Sequence, residues 1–448
     1  MKHVSIIAIV AVMTGGCAAY QSQPLSPKTS WPEGLQRIQV DSSKMPLPEL
    51  ASHKFDPEDG LDMTEVAMIA VANNPDLKLA RDDAGIAKAQ AYDAGLLPDP
   101  QIGFSPQFPQ NGIPGENITA FDLGISYDLG AIMTRSLRMA SADADRRKAD
   151  LALLWQEWQV VGQSRLLFSR ICERRRVLDI LKQERALAAV RYAREKAALG
   201  DLTLTAVAMD GNALQGIDRQ IGETTRALEK DRQSLNALLG LAPNARLHLV
   251  GRTDLADLDA AETRRRLHDL AMIRPDLLAL QAGYEAQDMR LRQAILSQFP
   301  AIGVGLVRSR DNTGINYEGF SISLALPIFD GNRGNIAIEK ATRRRMHDEF
   351  QNRLNAAYAE VEQILSDQKL LLEQRVRLND DIANLSLLSR RAESAYKAGD
   401  MDLASFSSLK DAELARKSER IAVEESMLEE RIALSTLLGG QLPLRESK

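Results

Sequence analysis

Between Ala131 and Leu199 the chain has no proline, and Leu154, Trp158, Val161, Phe168, Ile171, Leu178 and Leu181 recur at threes, fours and sevens. That stripe predicts one long helix with a coiled-coil-like seam. At about 1.5 Å per residue it spans about 100 Å. A similar helix is expected from Asn335 to Ala398. Gly200-Asp201 and Gly399-Asp400 are expected to close the two long helices, because glycine suits a left-handed helix stop and aspartate suits an N-cap. Shorter helices then follow over residues 203–239 and 402–438. Two more open at Pro75 and Pro275, proline being favoured at a first helical position, and run to Leu97 and Ser297. The shorter helices are expected to stack end to end beside the long ones.

After Pro100 the period changes from helical to two. Phe121, Leu123, Ile125, Tyr127 and Leu129 alternate with Asp122, Gly124, Ser126 and Asp128. Ile302, Val304 and Leu306 alternate with Gly303 and Gly305, and Phe320, Ile322, Leu324, Leu326 and Ile328 alternate with Ser321, Ser323, Ala325 and Pro327. Period two means strands with one apolar face and one small or polar face. Ile125 and Leu324 are expected on one face, Ser126 and Ser323 on the other. The connecting stretches PQNGIPGEN and RSRDNTG are rich in turn formers, so each set of strands reads as a hairpin. Four strands do not close a barrel, and an open sheet edge is forbidden in lipid. A membrane-spanning reading therefore requires several copies of the chain. Two would supply eight strands, and three would supply twelve, wide enough for a passage.

The chain also repeats itself. At an offset of 200, Pro75, Asp76, Leu77, Ala94, Leu96, Pro100, Ile102 and Gly103 meet Pro275, Asp276, Leu277, Ala294, Leu296, Pro300, Ile302 and Gly303. At 199, Phe121 meets Phe320, Gly200-Asp201 meets Gly399-Asp400, and Leu238-Leu239-Gly240 meets Leu437-Leu438-Gly439. The expected organisation is two tandem helix–hairpin–helix units, residues 62–240 and 262–439, joined by a connector at 241–261 and followed by a tail at 440–448. The fold class is α+β, with long helices dominant.

Composition narrows the function. Of 448 residues, 26% are charged and only 5% aromatic, and the net charge is −5. Basic runs such as Arg174-Arg175-Arg176 are interleaved with acids, so no nucleic-acid partner is implied. Residues 1–17 combine Lys2, an apolar run and small residues ahead of Cys17, which reads as a secretory signal. Residues 18–60 lack periodicity and read as an extended arm. Cys172 is the second cysteine of two, so no disulfide framework is expected beside a modified Cys17. The five histidines are scattered, and neither an enzyme constellation, a metal site nor a cofactor is expected.

The tandem copies, the strand FSISLALPIFDG followed by NRG, and the Gly-Asp hairpins flanked by heptads resemble the TolC-type outer-membrane efflux ducts over residues 62–440. Pro327, Phe329, Asp330, Gly331, Arg333 and Gly334 carry its most specific piece, a strand-to-helix motif read as structural. The ending Asn332-Arg333-Gly334 resembles the metal-cation branch. TGGC at residues 14–17 resembles a bacterial lipobox, which makes Cys17 a lipidation candidate with ordinary cleavage near Ala18-Ala19 as the alternative. The resemblance implies a homotrimer with a shared twelve-stranded outer-membrane barrel and a periplasmic helical tunnel. It implies a periplasmic adaptor and an inner-membrane pump, of RND type, as partners alongside outer-membrane lipid. Heavy-metal efflux, drug efflux and type I secretion remain open as duties. A lipid-anchored periplasmic coiled-coil scaffold without a pore is the other class.

Gly200 and Gly399 mark the helix tips, and Asp201, Asp400 and Asp402 stand where such a tunnel narrows. In a trimer each forms a ring of three, and carboxylate rings favour cations. The family places Asp six and nine positions beyond the tip glycine. Here Ser405 and Ser408 stand there, with Ala206 and Met209 in the first copy, so that ring does not carry over. The alternative is that Asp201 and Asp400 are helix caps.

Overall fold

The computed structural model describes residues 20–29, 31–32, 38–110, 118–197, 204–251 and 259–439. The elements in chain order are α1 (Pro48–Ser52), α2 (Met63–Asn73), α3 (Pro75–Gly95), β1 (Gln101–Gln107), β2 (Ala120–Asp128), α4 (Leu129–Ala197) and α5 (Leu204–Leu238). The second copy gives α6 (Ala260–Leu267), α7 (Leu270–Ile273), α8 (Pro275–Leu296), β3 (Ala301–Arg310), β4 (Asn316–Ala325), α9 (Arg333–Ala398) and α10 (Leu403–Leu438). The long helices α4 and α9 hold 69 and 66 residues, which is about 100 Å each.

Each long helix packs against two shorter ones that meet end to end. α5 and α3 lie on α4, and α10 and α8 lie on α9, with α8 and α10 also packed on α4. The expected stacking holds, and Asn74 explains how in the first copy. Its side-chain oxygen caps α3 by accepting from Leu77 N at 2.9 Å, while its amide donates to Leu238 O, at the end of α5, at 2.8 Å. Asn73 donates to Leu239 O at 2.6 Å. One asparagine thus satisfies an orphan donor of one helix and an orphan acceptor of the other. In the second copy Arg274 takes that place. It is 2% exposed, forms a fork of 2.7 and 2.8 Å to Asp276, and lies 4.8 Å over the Trp155 ring.

The core follows the predicted seam. Phe168, Ile171 and Leu178 of α4 pack with Leu228 and Leu235 of α5 and with Val66, Ile69 and Leu77. The second copy repeats this with Val361 and Leu365 of α9 against Leu434 and Leu437 of α10 and Leu277 of α8. The arm carries more structure than its sequence signalled. Leu47 and Leu50 are buried against Met68, Trp158 and Val161. Leu61 then pairs with the connector through Leu61 N to His248 O at 2.8 Å and Val250 N to Leu61 O at 3.0 Å.

The four strands form one antiparallel sheet in the order β1-β2-β3-β4. The last strand ends earlier than its alternation suggested. β4 stops at Ala325, because Pro327 has no N–H to give a ladder and Ile328 N turns back to Leu326 O at 2.9 Å. Leu326 and Ile328 therefore lie outside the sheet. Among the described residues no helix is long and apolar enough to cross a membrane, which says nothing of a β-barrel.

Candidate functional site

Pairing fixes which side chains share a face. Ile102 lies opposite Ile125, Ile125 opposite Leu306, and Leu306 opposite Phe320. Two residues along, Val304 faces both Tyr127 and Ile322, and beyond them Ile302 faces Leu324. This face is apolar and open, with Ile102 72%, Leu306 66% and Phe320 79% exposed. The opposite face carries Gly103, Ser105, Gly124, Ser126, Gly303, Gly305, Ser321 and Ser323. Ile125 and Leu324 thus oppose Ser126 and Ser323, as the alternation predicts. Gly305 is required by close approach, since a Cβ there would sit 2.6 Å from Ile125 O.

The outer edges of β1 and β4 pair with nothing among the described residues. Both edges are therefore rows of unpaired N–H and C=O groups beside an exposed apolar face. A sheet that ended in water would be blunted by charge or covered. This one has a single proline, Pro106, on its β1 edge and a single charged residue, Glu318, on its β4 edge.

The strand-to-helix motif makes a tight reversal. Gly331 and Asn332 adopt φ of 55° and 54°, the left-handed region. Gly331 N donates to Pro327 O at 3.2 Å. Arg333 holds the turn from above, with Nε to Asp330 O at 3.2 Å and Nη2 to Phe329 O at 3.1 Å. Asn332 reaches across to α8, its Nδ2 donating to Ala294 O at 2.7 Å. Asparagine is among the few non-glycine residues that tolerate this backbone. Phe329 is 92% exposed at the junction of sheet and helix. Nothing in the structure explains a glycine at Gly334.

At the far end, Gly399 closes α9 with φ of 84°. Its N–H donates to Tyr396 O at 3.1 Å, and Asp400 N donates to Ala395 O at 2.9 Å, which satisfies the last carbonyls. The N-cap of α10 falls two residues later than expected. Asp402, and not Asp400, accepts from Ser405 N at 2.8 Å and from Ser405 Oγ at 2.8 Å. The Ser405 amide and hydroxyl hold the Asp402 carboxyl below the ordinary aspartate range. Asp400 is exposed. Gly200, Asp201 and Cys17 lie outside the described residues. Sequence reading missed Arg191, which ties the two hairpins together through Asp210 at 2.9 Å and Asp411 at 3.0 Å. It also missed the stack of Tyr396 on Phe406, with centroids 5.3 Å apart. Tyr396 and Phe406 sit close to the Gly399 turn, so a search for aromatics flanking that turn finds the stack. The Arg191–Asp411 pair spans 220 positions and leaves no local signal.

Residues 267–440 match the model of the family described as Outer membrane efflux protein. The pyoverdine export outer membrane protein OpmQ of Pseudomonas putida (strain KT2440) is 24% identical over 412 residues, which is 85% of this chain and 86% of that protein. The fold is similar to that of CusC, a protein described as forming a transmembrane channel, with a TM-score of 0.70 and 17% identity, over 93% of this chain and 100% of that one. It is similar as well to the outer-membrane channel OprN, with a TM-score of 0.70 and 14% identity, over 93% of this chain and 99% of that one. Over residues 267–440 the chain thus matches the outer membrane efflux protein family, and over more than nine-tenths of its length it has the fold of CusC and of the outer-membrane channel OprN.

Proposed function

We propose that three copies of this chain close their sheets into one twelve-stranded barrel, and that the assembly is the outer-membrane exit duct of a tripartite efflux system. One observation carries the reading. The sheet has two unpaired edges and an exposed apolar face, so it is complete only beside other copies and in lipid. Three sheets give a lumen wide enough for passage, whereas two give a barrel filled by side chains. The helices continue the wall into the periplasm, and their tips form the mouth that meets a periplasmic adaptor and an inner-membrane pump of RND type. Heavy-metal cations are the cargo suggested by Asn332-Arg333-Gly334, and pyoverdine is what the relative OpmQ exports. Asn332 and Arg333 are already employed in the turn, so cargo choice falls to the pump and adaptor.

The scaffold alternative needs no lipid-facing sheet. Leu324→Arg separates the two readings, because an arginine facing mid-bilayer lipid costs a barrel about 2–4 kcal/mol per chain. The duct reading expects Leu324→Arg to lower the yield of SDS-resistant trimer in outer-membrane fractions, with Ser323→Arg assembling normally. Equal assembly of both variants sinks it.

At the tip of the second copy, Asp402 is committed to its cap, which leaves Asp400, among the described residues there, as the carboxylate that lines the mouth. Asp400→Asn is expected to change open probability in planar bilayers without altering helix content by circular dichroism. Unchanged gating would reduce the tip to a helix stop. Anchoring is the third expectation. Cys17 becomes the acylated N-terminus while the barrel holds the protein in place. Cys17→Ser should lose radioactive palmitate yet stay largely in the outer-membrane fraction, and complete release as soluble protein would contradict this.

A further inference from the structure

The charges of the sheet are sorted by face. Asp122 and Asp128 lie with the glycines and serines, whereas Arg308, Arg310 and Glu318 lie on the apolar face, at the end away from the helices. The acids at that end are engaged on their own side. Asp122 accepts from the amide of Gln107 at 3.2 Å, and Asp311, in the turn, accepts from the Tyr317 hydroxyl at 3.1 Å. Along β3 the other face is apolar from Ile302 to Leu306 and basic from Arg308 to Arg310. An arginine that faces lipid is costly at the bilayer midplane and tolerated near the headgroups. The two arginines therefore mark headgroup depth at that end of the sheet.

A groove of about 570 Å³ opens on this face. Ile102, Leu123, Ile125, Leu306 and Phe320 wall it, and Arg308 and Glu318 bound its charged end. The groove is thus amphipathic, hydrocarbon along its walls and ionic at one rim. Arg308 has a side chain 59% exposed, and its Nε lies 3.7 Å from Glu318 Oε1. That is longer than the about 2.7–2.9 Å of a charge-assisted hydrogen bond. Its planar fork is open to a closer acceptor, and a phosphate fits it, because guanidinium binds phosphate through two parallel N–H bonds. Arg310 adds a second positive charge two residues on, held by Thr119 O at 2.8 Å and by the Phe121 ring at 5.3 Å. Glu318 works against such a ligand, since its carboxylate competes for Arg308 and repels an anion.

We infer that this groove seats a phosphorylated glycolipid of the outer leaflet, with an acyl chain along Ile102, Ile125, Leu306 and Phe320 and a phosphate on Arg308. The inference rests on the trimeric duct reading, which turns this face to lipid and puts the hairpin end outermost. Two features select the occupant. The apolar walls run without a break into the ionic rim, which suits an anchored amphiphile and gives a free phosphate nothing to fill. The arginines stand at the end remote from the helices, which matches the outer leaflet and not the periplasmic one.

The test is lipid binding by the full-length trimer, purified in mild detergent, stripped of lipid and titrated, with bound lipid counted by native mass spectrometry. The probes are lipid A, dephosphorylated lipid A, phosphatidylglycerol and inorganic phosphate. Wild type is expected to bind lipid A, one per copy of the chain, and the dephosphorylated form about tenfold more weakly, the worth of a charge-assisted contact. Arg308→Gln should weaken lipid A binding by a similar factor, and Glu318→Gln should tighten it. A pair that serves the sheet alone gives no gain in Glu318→Gln, so absence of that gain overturns the inference even if Arg308→Gln does not assemble. Wild-type protein that forms no trimer overturns the duct reading, and this inference with it. Trimers that bind lipid A no better than its dephosphorylated form, phosphatidylglycerol or inorganic phosphate, or that lose nothing in Arg308→Gln, overturn this inference alone and leave the duct intact.

Discussion

An unpaired backbone N–H or C=O in hydrocarbon costs several kcal/mol, and the four-stranded sheet presents two full edges of them. Everything else in the chain is consistent with solving that one problem. β1 and β4 are outermost, seven and ten residues long, and the alternate residues whose N–H and C=O point outward need a neighbour. The apolar face of the same sheet needs lipid. A monomer in water satisfies neither demand. A ring of copies in a bilayer satisfies both at once, since each open β1 meets an open β4. Strand order then dictates the helices: each strand end remote from a hairpin turn must enter a helix, and each copy of the repeat supplies two such ends.

The two repeats reach the same topology by different chemistry. In the first, β2 passes directly into α4, with Asp128 capping the new helix. In the second, seven residues intervene between β4 and α9, and the left-handed pair Gly331-Asn332 turns the chain. The helix junction differs as well. Asn74 joins α5 to α3 through neutral hydrogen bonds, while Arg274 is buried beside Asp276 and Trp155. A buried ion pair of this kind is costly to break, because removal of one partner strands the other charge. Duplication thus fixed the path of the chain and left the local solutions free to diverge.

Much of this was legible from the chain because it is periodic. Seam residues such as Phe168, Ile171 and Leu178 are buried where the spacing put them, and alternation assigned Ile125 and Leu324 to the face opposite Ser126 and Ser323. Gly399 reads as a helix stop because few other residues fit φ of 84°. The misses are aperiodic or long-range. Leu47 and Leu50 are lone apolar residues in a proline-rich arm, buried only because α2 and α4 offer a groove. The N-cap shifted from Asp400 to Asp402 because both stand within one turn of the tip and only backbone geometry chooses between them. Pro327 cut short an alternation that ran to Ile328, since pattern counts side chains whereas a ladder needs N–H groups. The pairing of Asp311 with Tyr317 across a turn was equally invisible to a reading of strands alone.

A shared barrel requires β1 of one copy to pair with β4 of the next. Within one chain these strands are separated by two others, about 14 Å at about 4.8 Å per strand, which is beyond the reach of a disulfide. Cysteines at Ser105 on β1, combined in turn with cysteines at Gly319, Ser321 and Ser323 on β4 in a chain carrying Cys172→Ser, therefore report only contacts between copies. After mild oxidation of outer membranes, at least one pair should give covalent dimers and trimers on a non-reducing gel that collapse on reduction. A monomer band for every pair, in membranes where the protein is otherwise intact, would contradict the shared barrel.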